Sequence, residues 1–123
     1  MINTLSFLIF SALSGYFEAY FWESRPKVNQ RWSHIALTIL RSCILIPILI
    51  HDGWILCAAL ACFFPLIHDG MYYHTRNKIN PRIYGLGWMD HSNSTGALIS
   101  LDFVSRVIVA ACGIITYMIW LSF

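Results

Sequence analysis

The sequence contains little charge. Only 11% of its 123 residues are Asp, Glu, Lys or Arg, whereas about 25% is usual in a soluble domain, and 58% are hydrophobic. So few charged side chains cannot cover the surface of a water-soluble globule. The net charge is +2 and no basic cluster occurs, which excludes nucleic acid as a partner. The composition therefore indicates an integral membrane protein whose surroundings are the lipid bilayer.

Several motifs with defined chemistry are also missing. The four cysteines form no Cys-x-x-Cys pair, and the sequence has no P-loop, no Gly-x-Gly-x-x-Gly and no nucleophile elbow. These absences argue against zinc-ribbon, dithiol, nucleotide-binding and serine-hydrolase chemistry. The apolar N-terminus lacks a basic segment and an Ala-x-Ala site, so we expect a retained membrane helix instead of a cleaved signal peptide.

The chain contains four apolar runs, separated by polar or turn-forming stretches. A membrane-crossing helix needs about 20 residues, and the predicted spans are roughly 4–22, 33–50, 54–76 and 96–121. Asp-Gly in the turn at 51–53 separates the second span from the third. Ser94 or Thr95 is the predicted cap of the last helix. The sequence thus predicts a single all-α domain over residues 1–123, with four transmembrane helices in an antiparallel bundle.

Basic residues predict the orientation of this bundle. Six of the eight lie in the first and third connections: Arg25, Lys27, Arg31, Arg76, Lys78 and Arg82. Since cytoplasmic loops are enriched in Lys and Arg, we expect connections 23–32 and 77–95 in the cytoplasm and both termini outside. The expected location is a bacterial inner membrane.

Charged residues inside the apolar runs are the candidate functional residues. Helical spacing places one polar stripe on each span, and the stripes are expected to face one another at similar depth. The predicted polar layer consists of Glu18, Arg41, His68, Asp69, Asp102 and Arg106. Within it, Glu18 and Arg41 are expected to pair, because the helices that carry them are consecutive.

Two interpretations of this layer are open. It is either a salt-bridge network that fixes how the helices pack, or a site for an ion, a proton or a small solute, because intramembrane ionisable groups mark such pathways. Imidazole and carboxylate groups also suggest a third hypothesis, a metal-dependent membrane enzyme with zinc or iron. Its ligands would come from His68, Asp69, His74, Asp90 and His91. Their spacing fits no metal motif, so we expect no cofactor.

The leading functional hypothesis is a small membrane protein whose polar layer binds or conducts an ion, proton or small solute. The alternative is a non-catalytic membrane subunit, an assembly factor or a phage holin-like protein, and a homo-oligomer is compatible with either. The smallest multidrug exporters and the small fluoride channels resemble this chain in length and number of spans, and the exporters also carry a glutamate in the first span. The motifs of both families are absent, so this likeness implies only a general architecture.

Overall fold

The computed structural model describes residues 2–24, 30–91 and 100–123, with side chains from residue 35 in the second range. No strand occurs in these ranges, which are almost entirely helical. The helices are α1 (Ile2–Ser24), α2 (Gln30–Cys43), α3 (Leu45–Asp52), α4 (Trp54–Phe64), α5 (Gly70–Ile79) and α6 (Phe103–Leu121). A π-helical segment, Pro65–Asp69, joins α4 to α5, and a 3₁₀ turn covers Gly87–Met89.

Three helical segments are long and apolar enough to cross a membrane: Ile35–Asp52, Trp54–Ile79 and Phe103–Leu121. The second has 26 residues, or about 39 Å at the usual helical rise. Helix α1 has 23 residues but is not among the three. Its polar residues, Glu18 among them, lower its mean hydropathy. The predicted all-helical fold is thus confirmed in the described ranges, and three of its helical segments have the length and apolar composition of membrane spans.

Side-chain contacts define how the helices run relative to one another. Asn3 at the start of α1 donates to Asp52 at the end of α3, so α1 and α2–α3 are antiparallel. Helix α1 is parallel to α4–α5, since Phe7 contacts Phe64 near the middle while Glu23 pairs with Arg76 near the end. Helix α6 is antiparallel to α4–α5, because Arg106 lies over Tyr73 on α5 whereas Gly113 faces Ala59 and Cys62 on α4. The directions of the helices therefore alternate along the chain.

Proline and glycine explain where the helices break. Gly53 has φ +86°, a conformation that side chains disfavour, and it separates α3 from α4 at the predicted turn. Pro47 has no N–H to donate to the carbonyl of Cys43, and the helix is interrupted at Ile44, between α2 and α3. Pro65 likewise begins the π-helical segment. The helix nevertheless continues past His68 and Asp69, as the sequence predicts.

Small residues allow α4 and α6 to pack closely. A Cβ atom added at Gly113 would lie 2.9 Å from Cys62 Cβ and 3.0 Å from the Ala59 carbonyl oxygen. The absence of a side chain on Gly113 therefore lets the two helices approach. Ala59 and Cys62 are the residues of α4 against which Gly113 packs.

Charged side chains are buried and many large apolar ones are exposed, unlike in a soluble protein. Among the described residues, five polar or charged ones are buried: Ser11, Glu18, His68, Thr75 and Arg106. Large apolar side chains are exposed along the helices, for example Leu5, Phe17, Leu40, Ile108 and Met118. An apolar exterior, around an interior that holds both apolar and charged side chains, suits a protein whose helices face lipid and pair their buried polar groups with one another.

The start of the last helix differs from the prediction. The sequence predicts a span from about residue 96 with Asp102 inside it, but residues 100–102 are not helical and α6 begins at Phe103. Asp102 is the N-cap, because its short carboxylate accepts the backbone N–H of Ser105 at 2.8 Å. The predicted cap at Ser94 or Thr95 lies outside the described residues.

Candidate functional site

Four of the six residues of the predicted polar layer meet in one contact network. The Glu18 carboxylate on α1 forms an ion pair with the Arg41 guanidinium on α2, and its Oε2 lies 2.9 Å from His68 Nε2. His68 Nδ1 in turn lies 2.8 Å from Asp69 Oδ1. The pair that the sequence predicts between Glu18 and Arg41 is therefore present. We call these four residues, Glu18, Arg41, His68 and Asp69, the central cluster.

Glu18 is the most fully coordinated member of the central cluster. Only 6% of the residue is exposed. Its Oε1 accepts a hydrogen bond from Trp22 Nε1 at 2.9 Å, one helical turn along α1. Its Oε2 faces both Arg41 and His68. Each carboxylate oxygen thus has a donor, which is the condition for keeping a carboxylate ionised in a buried position.

Arg41 connects the central cluster to α1 at a second point. Its Nε donates to the hydroxyl of Ser14 at 3.1 Å, and its Cζ lies 5.7 Å from the centre of the Phe64 ring. The same ring stacks on His68, with centroids 4.6 Å apart and planes 13° from parallel. Phe64 therefore orients both cationic side chains of the cluster at once.

A glycine lets the π-helical segment reach α1. A Cβ at Gly15 would collide with the backbone carbonyl of His68, so no side chain can stand there without moving one of the two helices. The close approach brings His68, which is 5% exposed, within reach of Glu18, three residues further along α1. The position of the buried imidazole therefore depends on Gly15 as well as on Pro65.

Charge in the central cluster balances when His68 is protonated. Glu18 and Asp69 each carry a negative charge, and Arg41 and an imidazolium each carry a positive one. A neutral imidazole has only one N–H, so only the imidazolium has an N–H on each of the two nitrogens; Nδ1 is hydrogen-bonded to Asp69, whereas Nε2 meets Glu18 at ion-pair distance without a hydrogen bond. Asp69 is the most accessible of the four, with 32% of its side chain exposed. The imidazole of His68 therefore lies between the half-buried carboxylate of Asp69 and the buried carboxylate of Glu18.

The structure does not bring Arg106 or Asp102 into this cluster. Arg106 is fully buried, donates to the Asp90 carbonyl oxygen at 2.5 Å, and lies over the rings of Tyr73 and Phe103. Asp102 is exposed at the start of α6. The hydrogen bonds donated by Ser105 hold the pKa of the Asp102 carboxyl below its usual value. These two residues belong to the start of α6 and not to the layer that the sequence predicts.

A separate ion pair lies nearer the ends of α1 and α5. Arg76 Nη1 lies 2.5 Å from Glu23 Oε2, and Arg76 Nη2 donates to the Tyr84 hydroxyl at 3.2 Å. The guanidinium also covers the Tyr84 ring, 4.9 Å from its centre. Arg76 therefore ties α1 to the chain that follows α5. The sequence analysis assigns Arg76 to a cytoplasmic connection and does not predict these contacts.

The five residues of the metal hypothesis are spread apart. His74 lies near the Trp88 ring, 6.4 Å between centroids, while His91 is exposed and its backbone N–H binds the Asp90 carboxylate. Across the described ranges, no three His, Cys, Asp or Glu side chains are close enough together to hold a metal ion. Within these ranges, His68 and Asp69 are the members of the predicted set whose side chains contact each other, and the other partner of His68 is Glu18.

Comparison with known proteins adds no assignment. No family model matches the chain, and neither a curated protein nor a solved structure matches it.

Proposed function

We propose that this chain is a four-span membrane protein that conducts protons across the bilayer, and that its central cluster binds each proton and passes it between Asp69 and Glu18. Three segments have the length and composition of spans, and α1, antiparallel to α2–α3 and parallel to α4–α5, is the proposed fourth. With both basic connections in the cytoplasm, the termini lie outside and the cluster lies in the cytoplasmic half of the bundle.

The observation that carries this proposal is the position of His68 between two carboxylates. Each ring nitrogen lies less than 3 Å from a carboxylate oxygen: Nε2 from Glu18 and Nδ1 from Asp69. Histidine is the side chain that exchanges a proton near neutral pH, and its two nitrogens allow it to take a proton on one side and release it on the other. The half-buried Asp69 would receive protons and the buried Glu18 would hold them.

Helix packing supports the proposal, because a purely structural ion pair requires fewer parts. Glu18 and Arg41 alone would neutralise each other, yet the fold also brings in His68 through a π-helical segment and a glycine contact. π-Helical segments are rare and are frequent at functional sites.

The test is proton flux in vesicles that contain the purified protein and an internal pH-sensitive dye. With a pH gradient imposed, we expect wild-type protein to collapse the gradient and His68→Asn to leave it at the level of protein-free vesicles. His51→Asn is the matched control, because His51 is an exposed histidine at the end of α3, away from the central cluster. Flux through His68→Asn equal to wild type, with both proteins folded, would refute the proposal.

A further inference from the structure

A cavity of about 180 Å³ adjoins the central cluster. Arg41 forms part of its wall and is the only charged residue among those that line it. The hydroxyl-bearing Thr38 and Ser42 lie on the same helix, and Phe7, Leu45 and Phe64 supply apolar surface. The cavity therefore combines one cation with apolar walls.

The size and lining of this cavity indicate the class of molecule that it would hold. Pockets for drug-sized ligands are about 300–1,000 Å³, so this one suits a smaller molecule. A guanidinium binds carboxylates through two parallel hydrogen bonds, whereas apolar walls bind hydrocarbon and exclude water. A carboxylate with a short apolar tail would bind the guanidinium through its head group and contact the apolar walls through its tail.

We propose that this cavity binds a small organic carboxylate, with its head group on Arg41 and its tail against Phe7 and Phe64. The inference rests on the proposed function in one respect: it names the solute whose binding is coupled to the proton on the central cluster. The binding site itself is defined by the cavity and by Arg41, and can be tested without any measurement of proton movement.

Proton binding and ligand binding are coupled because two anions, the Glu18 carboxylate and the ligand carboxylate, compete for the Arg41 guanidinium. In the structure its guanidinium pairs with Glu18. When Glu18 takes up a proton, this pairing weakens and the guanidinium becomes available to a ligand carboxylate in the cavity. Linkage is reciprocal, so a bound carboxylate must favour protonation of Glu18 to the same extent. Proton and carboxylate would then occupy the protein together.

Calorimetric titration of the purified protein in detergent with hexanoate tests the binding site. We expect hexanoate to bind, and the uncharged hexanamide, which has the same tail, to bind at least about tenfold more weakly because it lacks the charge-assisted hydrogen bonds. Arg41→Gln should abolish hexanoate binding. Equal affinity for the acid and the amide, or hexanoate binding that survives in Arg41→Gln, would overturn the proposal.

A second variant keeps the test valid if Arg41→Gln fails to fold. Ala61 also lines the cavity and is exposed, so Ala61→Phe should fill the space without touching the ion pair. Ala111→Phe is the matched control, since Ala111 is an exposed alanine on α6 outside the cavity. We expect hexanoate binding to be lost in Ala61→Phe and kept in Ala111→Phe. Retained binding in a folded Ala61→Phe protein would place the ligand elsewhere.

Chain length separates two sources of the carboxylate. Affinity that rises from acetate to hexanoate and falls by dodecanoate indicates a water-borne acid enclosed by the cavity. Affinity that is highest for dodecanoate indicates a fatty acid entering from the bilayer. Both results support the carboxylate site, whereas affinity independent of the tail overturns the role of the apolar walls.

Glu18→Gln tests the coupling separately from the site. Loss of the competing carboxylate should strengthen hexanoate binding at neutral pH, and weaker or unchanged binding would refute the sharing of Arg41. If wild-type protein binds hexanoate but passes no protons, the carboxylate site stands and the proton proposal fails. If it passes protons but does not bind hexanoate, the proton proposal stands and the carboxylate site fails.

Discussion

Glu18 shows how much of the site can be predicted from residue spacing alone. Its helical position and depth predict a partner on the next helix, and Arg41 is that partner. The same reasoning does not find Trp22, which lies one turn from Glu18 and donates a hydrogen bond to it. It also fails for Phe64, because an aromatic residue in an apolar run gives no sign that it will stack on His68.

The Glu18–Arg41 pair can be tested by a double-mutant cycle. Removing one partner leaves the other charge uncompensated in a buried site, so we expect Glu18→Gln and Arg41→Gln each to lower stability by about 3–5 kcal/mol. The double variant should lose clearly less than the sum of the two. Thermal unfolding in detergent measures all four proteins. Additive losses would show that the two side chains do not interact.

The same four proteins separate a structural role from a functional one. A double variant that regains stability but not proton flux would show that the cluster acts on protons. Recovery of stability and flux together would favour the alternative in which the cluster only fixes the packing of the helices.

At the scale of elements, the backbone around His68 depends on two small features. Pro65 begins the π-helical segment, and Gly15 gives that segment the space to approach α1. Neither consequence can be predicted from periodicity, which treats residues 54–76 as one regular helix. The turn at Gly53, in contrast, is predicted because Asp-Gly is a strong local signal. The break at Ile44 and the start of α6 at Phe103 depend on local hydrogen bonds that apolar runs do not reveal.

Gly15→Ala tests the close approach of α1 to the π-helical segment. The added Cβ would collide with a backbone carbonyl, and such overpacking typically costs about 1–3 kcal/mol. We therefore expect a lower midpoint of thermal unfolding, together with reduced proton flux as His68 moves away from Glu18. Gly85→Ala is the control, because its Cβ would meet the nearest atom at an ordinary 3.6 Å. Equal midpoints for Gly15→Ala and wild type would contradict the packing.

For the whole molecule, composition already predicts the environment. The exposed apolar side chains and the buried charged ones agree with it, and three segments have the character of spans. The number of spans is harder to predict, because the polar residues of α1 make contacts in the interior and lower the mean hydropathy by which a span is recognised.

Cysteine accessibility tests the four-span topology. After the four native cysteines are replaced, single cysteines at Lys27 and Asn80 should react only with reagent that reaches the cytoplasm. A cysteine at Asp52 should react from the opposite side, because one span separates it from Lys27 and another from Asn80. Reaction of positions 52 and 80 from the same side would contradict the arrangement.

The division of the Glu18–Arg41 pair between α1 and α2 has a consequence for biogenesis. A single charged side chain at the centre of an inserting helix costs about 2.5–3.5 kcal/mol, and α1 would meet this cost alone if it entered the bilayer first. Its counter-ion is synthesised only 23 residues later, on the following helix. In the four-span arrangement, α1 and α2–α3 would therefore enter the membrane as one hairpin, with the two charges already neutralised, and a ribosome-bound chain that ends before Arg41 would hold α1 outside the hydrocarbon.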